Sequence, residues 1–183
     1  MRLEAEGLDK AASITVGVGD CQVSNNPDAS LVTYALGSCM AVTIYDPMAR
    51  VGGMLHYMLP DSRIDQTKAS QRPWMFADTG IPLLFRWAYR LGAVKSRLLV
   101  AAVGGAQMVG TDGVFDIGKR NQLALRRIFW KAGVLVHCEE VGGNLPRTLW
   151  MNLGNGRILL RHAQQDRELR SLVAEERKAA NDV

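Results

Sequence analysis

Residues 31–60 read LVTYALGSCMAVTIYDPMARVGGMLHYMLP, and this stretch decides the fold. Leu31 to Leu36 has the extended, half-apolar character of a strand, and Gly37-Ser38 breaks it. Cys39 to Tyr45 resumes the extended pattern. Asp46-Pro47, followed by Met48-Ala49-Arg50, is a turn signal, and Val51 to Met58 is the strand that returns from it. Leu59-Pro60-Asp61-Ser62 closes the block. Consecutive strands with so short a connection predict antiparallel neighbours in a sheet.

Upstream, Ser13 to Val18 alternates through Ile14, Val16 and Val18, as a half-buried strand does. Asp20 to Ser30 contains Asn25-Asn26-Pro27-Asp28 and is expected to be a loop. Downstream, residues 61–73 are polar and read as a surface loop. Asp78 or Thr79 is the expected cap of a helix whose Ile81, Leu84, Phe85, Ala88 and Leu91 share one face, with Gly92 ending it. Arg97 to Val103 is a near-continuously apolar strand, which predicts a central position. Gly104-Gly105 opens a loop to about Gly118. Asn121 to Lys131 is a second helix, and Gly133 ends it. Val134 to Val141 is a strand. Thr148 to Leu153 and Arg157 to Arg161 form a hairpin over Gly154-Asn155-Gly156. Residues 162–181 are charged, with a thin stripe of Leu169, Leu172 and Val173, and read as a C-terminal helix.

The order of elements predicts an α+β fold with mostly antiparallel strands, two main helices outside the sheets and a C-terminal helix. The expected organisation is a flexible segment over 1–12, one domain over 13–161, and a charged helix or tail over 162–183. With 183 residues, 48 % hydrophobic and 22 % charged, the chain suits one folded domain. No apolar run reaches about 18 residues, so no membrane insertion is expected. Three cysteines without paired spacing suit a reducing compartment, in which Cys39 stays a thiol. The net charge of +4 is spread along the chain and aromatic residues make up only 7 %, so no nucleic-acid partner is expected.

Cys39 and His56 are the candidate nucleophile and base. A lone cysteine is ordinarily a small buried hydrophobe. Gly37-Ser38, however, sets backbone with little side-chain bulk beside the sulfur, and its N–H groups could face an oxyanion. A histidine in an apolar strand is ordinarily a satisfied core residue, and spacing alone does not show whether His56 and Cys39 face each other. Thr33 is a candidate orienting group for His56, with Asp46 and Asp61 as rivals. Cys21 and Cys138 read as structural. His137 should point away from Cys138, and His162 begins the charged tail. Gly104-Gly105 and Gly142-Gly143-Asn144 lack the further residues of a nucleotide loop, and no metal-ligand spacing occurs.

Over about residues 14–161 the chain resembles the chemoreceptor glutamine deamidases, the CheD family. The resemblance rests on Thr33 to Pro60, on Ala77-Asp78-Thr79, on Val103-Gly104-Gly105-Ala106, on Ile117-Gly118-Lys119-Arg120-Asn121 and on Gly142-Gly143-Asn144-Leu145-Pro146-Arg147. It implies Cys39, His56 and Thr33 as the catalytic residues and an α-β-β-α sandwich. It also implies a cytoplasmic enzyme without metal or cofactor that converts receptor glutamines to glutamates. The implied partners are the cytoplasmic domains of chemoreceptors and a CheC-type phosphatase, and a monomer is expected. The chain departs from the family pattern at Ala106-Gln107-Met108-Val109, where an aromatic would follow the methionine. The alternatives are a non-catalytic module that binds the phosphatase or receptor, and another Cys-His hydrolase such as a peptidase or methylesterase.

Overall fold

The computed structural model of the protein describes residues 12–107, 116–163 and 165–170. The expected segment 1–12 lies almost wholly outside them, as do Met108 and Val109. The first five strands are β1 (Ala12–Thr15), β2 (Asp20–Ser24), β3 (Ala29–Leu36), β4 (Met40–Asp46) and β5 (Val51–Tyr57). Strands β4 and β5 are the hairpin read from Asp46-Pro47, in register from Met40 opposite Tyr57 to Asp46 opposite Val51. The Asp46 carboxylate builds the turn by accepting from the Met48 and Ala49 amides at 2.9 and 3.0 Å.

The helices are α1 (Gln66–Gln71), α2 (Ala77–Arg90) and α3 (Ile117–Ala132), and the later strands are β6 (Leu99–Gly104), β7 (Cys138–Val141), β8 (Arg147–Asn152), β9 (Ile158–His162) and β10 (Gln165–Arg170). They assemble into two five-stranded sheets, ordered β1-β3-β8-β9-β10 and β2-β5-β4-β6-β7. Both sheets are mixed: β1 runs parallel to β3, β6 runs parallel to β7, and the other pairings are antiparallel.

The side-chain alternation of each strand divides the core in two. Ala41, Tyr45, Met54, Ala101 and Val103 of the second sheet meet Leu31, Leu36, Leu149, Met151 and Leu160 of the first. The opposite face of the second sheet offers Val42, Ile44, Leu55, Val100 and Ala102 to α2, through Ile81, Leu84 and Phe85, and to α3, through Leu125 and Phe129. Each of the fully buried leucine, isoleucine, valine and methionine side chains among these contributes about 1.5–3 kcal/mol by leaving water. Both long helices therefore pack on one face of the second sheet, and neither supplies an outer layer to the first.

Several boundaries differ from the sequence reading. Residues 20–24, expected in a loop, form β2 along the edge of β5, because backbone pairing from Asp20–His56 to Ser24–Gly52 completes an open ladder where side-chain pattern is weak. The polar segment 61–73 contains α1, capped by the Asp65 carboxylate on the Lys68 amide. Helix α2 begins at Ala77 behind Phe76 without a side-chain cap, and Asp78 instead accepts from the Ser62 amide and hydroxyl. Helix α3 begins four residues before Asn121, capped by Asp116 on the Lys119 amide.

The expected C-terminal helix does not occur over residues 165–170. They form β10, which returns from a turn at Ala163 and pairs with β9. The open edge of β9 and the cross-strand pairs Arg161–Asp166 (2.6 Å) and Arg157–Glu168 (3.1 Å) favour the strand. The remainder of that predicted helix lies outside the described residues.

Candidate active site

Cys39 stands one residue before β4, and Ala41 is directly opposite His56 on β5. Side chains alternate, so Cys39, Ala41, Met54 and His56 share one face of their sheet, the face turned towards the other sheet. Cys39 and His56 thus sit on adjacent strands, diagonal to one another in register. The chain meets this site through a β-bulge. Between the pairs Thr33–Leu149 and Leu36–Arg147, β3 has one residue more than β8, and Ala35 takes a left-handed φ of 53°. Gly37, Ser38 and Cys39 follow, all half-buried.

Thr33 comes from the opposite sheet. Its hydroxyl is fully buried, 2.8 Å from Nδ1 of His56, and donates to the Val16 carbonyl at 2.7 Å. A hydroxyl has one proton, and a carbonyl can only accept. Thr33 therefore accepts from Nδ1–H of His56, and the lone pair of the imidazole is on Nε2. That atom is buried and has no hydrogen-bond partner among the described residues. Burial lowers the His56 pKa to about 4, against the opposing pull of the Val16 carbonyl. Burial also raises the Cys39 thiol, with its own backbone amide acting in the opposite direction. At neutral pH the site rests as a thiol beside a neutral imidazole.

The loop before Cys39 is held by its carbonyls. Gly37 accepts from the Ala106 amide at 2.7 Å, and Cys39 from the Gly105 amide at 2.8 Å. Ser38 accepts from Nδ2 of Asn121 at 3.0 Å. In a planar trans peptide the N–H points opposite to the C=O. With the Gly37 and Ser38 carbonyls turned to these donors, the Ser38 and Cys39 N–H groups face the other way.

The rival orienters lie elsewhere. Asp46 closes the far end of β4, where its buried carboxylate binds Arg97 at 2.8 Å and the Val94 amide at 2.8 Å. Asp61 pairs with Arg63. The strand expected over 134–141 begins only at Cys138; His137 stands just before it, in a groove beside Val100, whose amide donates to its Nδ1, and Cys138 packs towards the core between the sheets. Cys21, Cys39 and Cys138 form no disulfide with one another.

Asn121 and Tyr57 were not singled out in the sequence reading as site residues. Asn121 is fully buried, and its Nδ2 also donates to the Met58 carbonyl at 2.8 Å. Its main-chain carbonyl accepts from the Tyr57 hydroxyl at 2.9 Å. The signal was present in the spacing: Asn121, Leu125 and Phe129 recur every four residues on the buried face of α3.

The model of the family described as "CheD chemotactic sensory transduction" matches residues 58–162 of this chain, more than half of it. The chain is 53 % identical over 156 residues to the "Probable chemoreceptor glutamine deamidase CheD" of Solibacter usitatus, covering 85 % of this chain and 92 % of the relative. It is 49 % identical to the "Probable chemoreceptor glutamine deamidase CheD 1" of Syntrophus aciditrophicus, over 81 % of this chain and 92 % of that one. It is 46 % identical to the "Probable chemoreceptor glutamine deamidase CheD 2" of Anaeromyxobacter dehalogenans, over 83 % and 96 % respectively. A stretch of 156 residues in a chain of 183 must include residues 28–156, so Thr33, Cys39 and His56 all lie within the first of these matches. With the family model matched over more than half its length and relatives this similar, the chain belongs to the CheD family.

Proposed function

We propose that this chain deamidates glutamine side chains of chemoreceptors, hydrolysing them to glutamate and ammonia with Cys39 as nucleophile. The observation that carries the reading is the Thr33–His56 contact, which leaves the free lone pair of Nε2 on the same face as the Cys39 side chain. The family's relatives are named for the same reaction.

In this mechanism Nε2 of His56 takes the proton from Sγ of Cys39, and the sulfur attacks the carboxamide carbon of the glutamine. The oxyanion accepts from the Ser38 and Cys39 amides. The tetrahedral species collapses as the imidazolium gives its proton to the departing nitrogen. Ammonia leaves, and a thioester joins the glutamyl side chain to Cys39. His56 then takes a proton from water, whose oxygen attacks the thioester. Glutamate is released and the thiol is restored. Thr33 holds the imidazole in the required tautomer throughout. The substrate is the cytoplasmic part of the receptor, which puts the reaction in the cytoplasm, and the enzyme acts as a monomer. A CheC-type phosphatase is a further partner on this reading.

The test is intact-mass and peptide mass spectrometry of a receptor cytoplasmic fragment co-expressed with the wild-type protein or with Cys39→Ala. A gain of about 1 Da at glutamines with wild type alone is the expected result. No conversion on several receptors, with both forms still binding receptor or phosphatase, would overturn the enzyme in favour of a binding module.

A further inference from the structure

We infer that Asn121 is a positioning residue for this site, a clamp from α3 that sets the separation of Cys39 and His56. Besides its bonds within the helix, three hydrogen bonds go to residues flanking the two. Nδ2 donates to Ser38, the residue before Cys39, and to Met58, two residues after His56. The main-chain carbonyl accepts from Tyr57, the residue directly after His56. Ser38 and Met58 are joined through one nitrogen, although 83 and 63 residues separate them from Asn121 in the chain.

A buried carboxamide is costly unless its polar atoms are used. Here both N–H bonds of Nδ2 are used, while Oδ1 is buried without a partner among the described residues. The side chain is therefore placed for its donors. Two carbonyl acceptors also fix its orientation, since only the nitrogen can donate to them. The start of α3 is seated to match. A Cβ on Gly118 would come within 2.5 Å of the Ala106 carbonyl oxygen, so the helix lies directly on the backbone of residues 105–106. Gln122 adds a bond to the Gly105 carbonyl at 2.8 Å. Gly105 and Ala106 are in turn the donors to Cys39 and Gly37. Asn121 has one further effect: by engaging the Ser38 carbonyl it turns the Cys39 N–H away from α3, towards the oxyanion position.

The proposal rests on the deamidase reading for turnover, and on Cys39 alone for chemistry. Its test uses both. Asn121→Asp keeps the shape but sets carboxylate oxygens against two carbonyls, and Asn121→Leu keeps the volume without donors. For each, kcat and KM are measured from ammonia release on a receptor fragment. The rate of Cys39 alkylation by iodoacetamide is mapped by peptide mass spectrometry.

The expected result is a fall in kcat of about 10- to 100-fold with KM within about threefold, and slower alkylation of Cys39. Acid should raise the relative activity of Asn121→Asp, since a protonated carboxyl regains one donor, and should leave Asn121→Leu unchanged. A folded variant with both kcat and alkylation at wild-type values would overturn the proposal. So would failure of both variants to fold, because Asn121 would then be a folding residue. If the wild type deamidates no receptor, the deamidase reading fails, and the alkylation rates still decide the clamp.

Discussion

A side chain on Gly104 would overlap the carbonyl oxygen of Cys39. Gly104 ends β6 directly opposite Met40, and its φ of 113° is one that L side chains rarely adopt. Gly104→Ala is therefore expected to cost about 1–3 kcal/mol of stability and to displace Cys39. Deamidation should fall by at least about tenfold in protein that still gives a cooperative melt. A Gly104→Ala protein of wild-type activity would mean that the backbone of Cys39 can shift without consequence.

Thr33→Val removes one hydroxyl and strands two buried groups, the Nδ1–H of His56 and the Val16 carbonyl. The expected cost is about 1–3 kcal/mol by chemical denaturation. The rate should drop by roughly 10- to 100-fold, since the imidazole loses the contact that fixes its tautomer. Thr33→Ser retains the hydroxyl and should recover most of the rate.

Protonation of His56 gives a stability profile with a definite direction. Its folded pKa of about 4 lies below the ordinary 6.5 because burial disfavours the charged ring. Between these values the unfolded chain binds a proton that the folded chain does not. Stability is present in full above about pH 6.5 and declines as pH falls towards about 4, by about 3 kcal/mol. Denaturation midpoints at pH 7 and pH 5 measure the slope, and His56→Gln should remove this part of it. The same neutral resting pair predicts a kcat/KM that is level from about pH 6 to 8. A steep loss of activity across that range would contradict a neutral imidazole at rest.

Asp46 provides a control at the far end of β4. Burial opposes its ionisation, but Arg97 and the Ala49, Val94 and Met48 amides hold the carboxylate at about 2. Asp46→Ala should lower stability by about 2–4 kcal/mol, less than for a wholly buried pair because Arg97 is partly exposed. Residual folded protein should keep kcat within about twofold, since the lost bonds lie at the opposite end of the strand. A large loss of kcat would show that the turn and the site are coupled.

The parts of this architecture written locally were legible in the sequence. Asp46-Pro47 and Gly154-Asn155-Gly156 mark their hairpins by turn chemistry, and Ile81, Leu84, Phe85 and Ala88 mark the buried face of α2 by spacing. Cys39, Thr33 and His56 stood out as residue types in one block, but no spacing could tell that Thr33 belongs to a different sheet from His56. β2 and β10 were missed for a common reason. Asp20-Cys21-Gln22-Val23-Ser24 and Gln165 to Arg170 are mostly polar, and they are strands because a neighbour offers an unpaired ladder. Asn121 is the same kind of case at the site: its partners are 63 and 83 residues away, and only its periodicity with Leu125 hinted at burial.

The contact between Thr33 and His56 crosses from one sheet to the other. Each sheet could form its own backbone ladders and still present an imidazole with no fixed tautomer. The pair is thus completed only where the two sheets meet, across the core of Leu31, Met54, Leu149 and their neighbours. On the proposed mechanism a substitution that loosens this inter-sheet core also loosens the imidazole, so the tightness of the interior and the rate of turnover are linked.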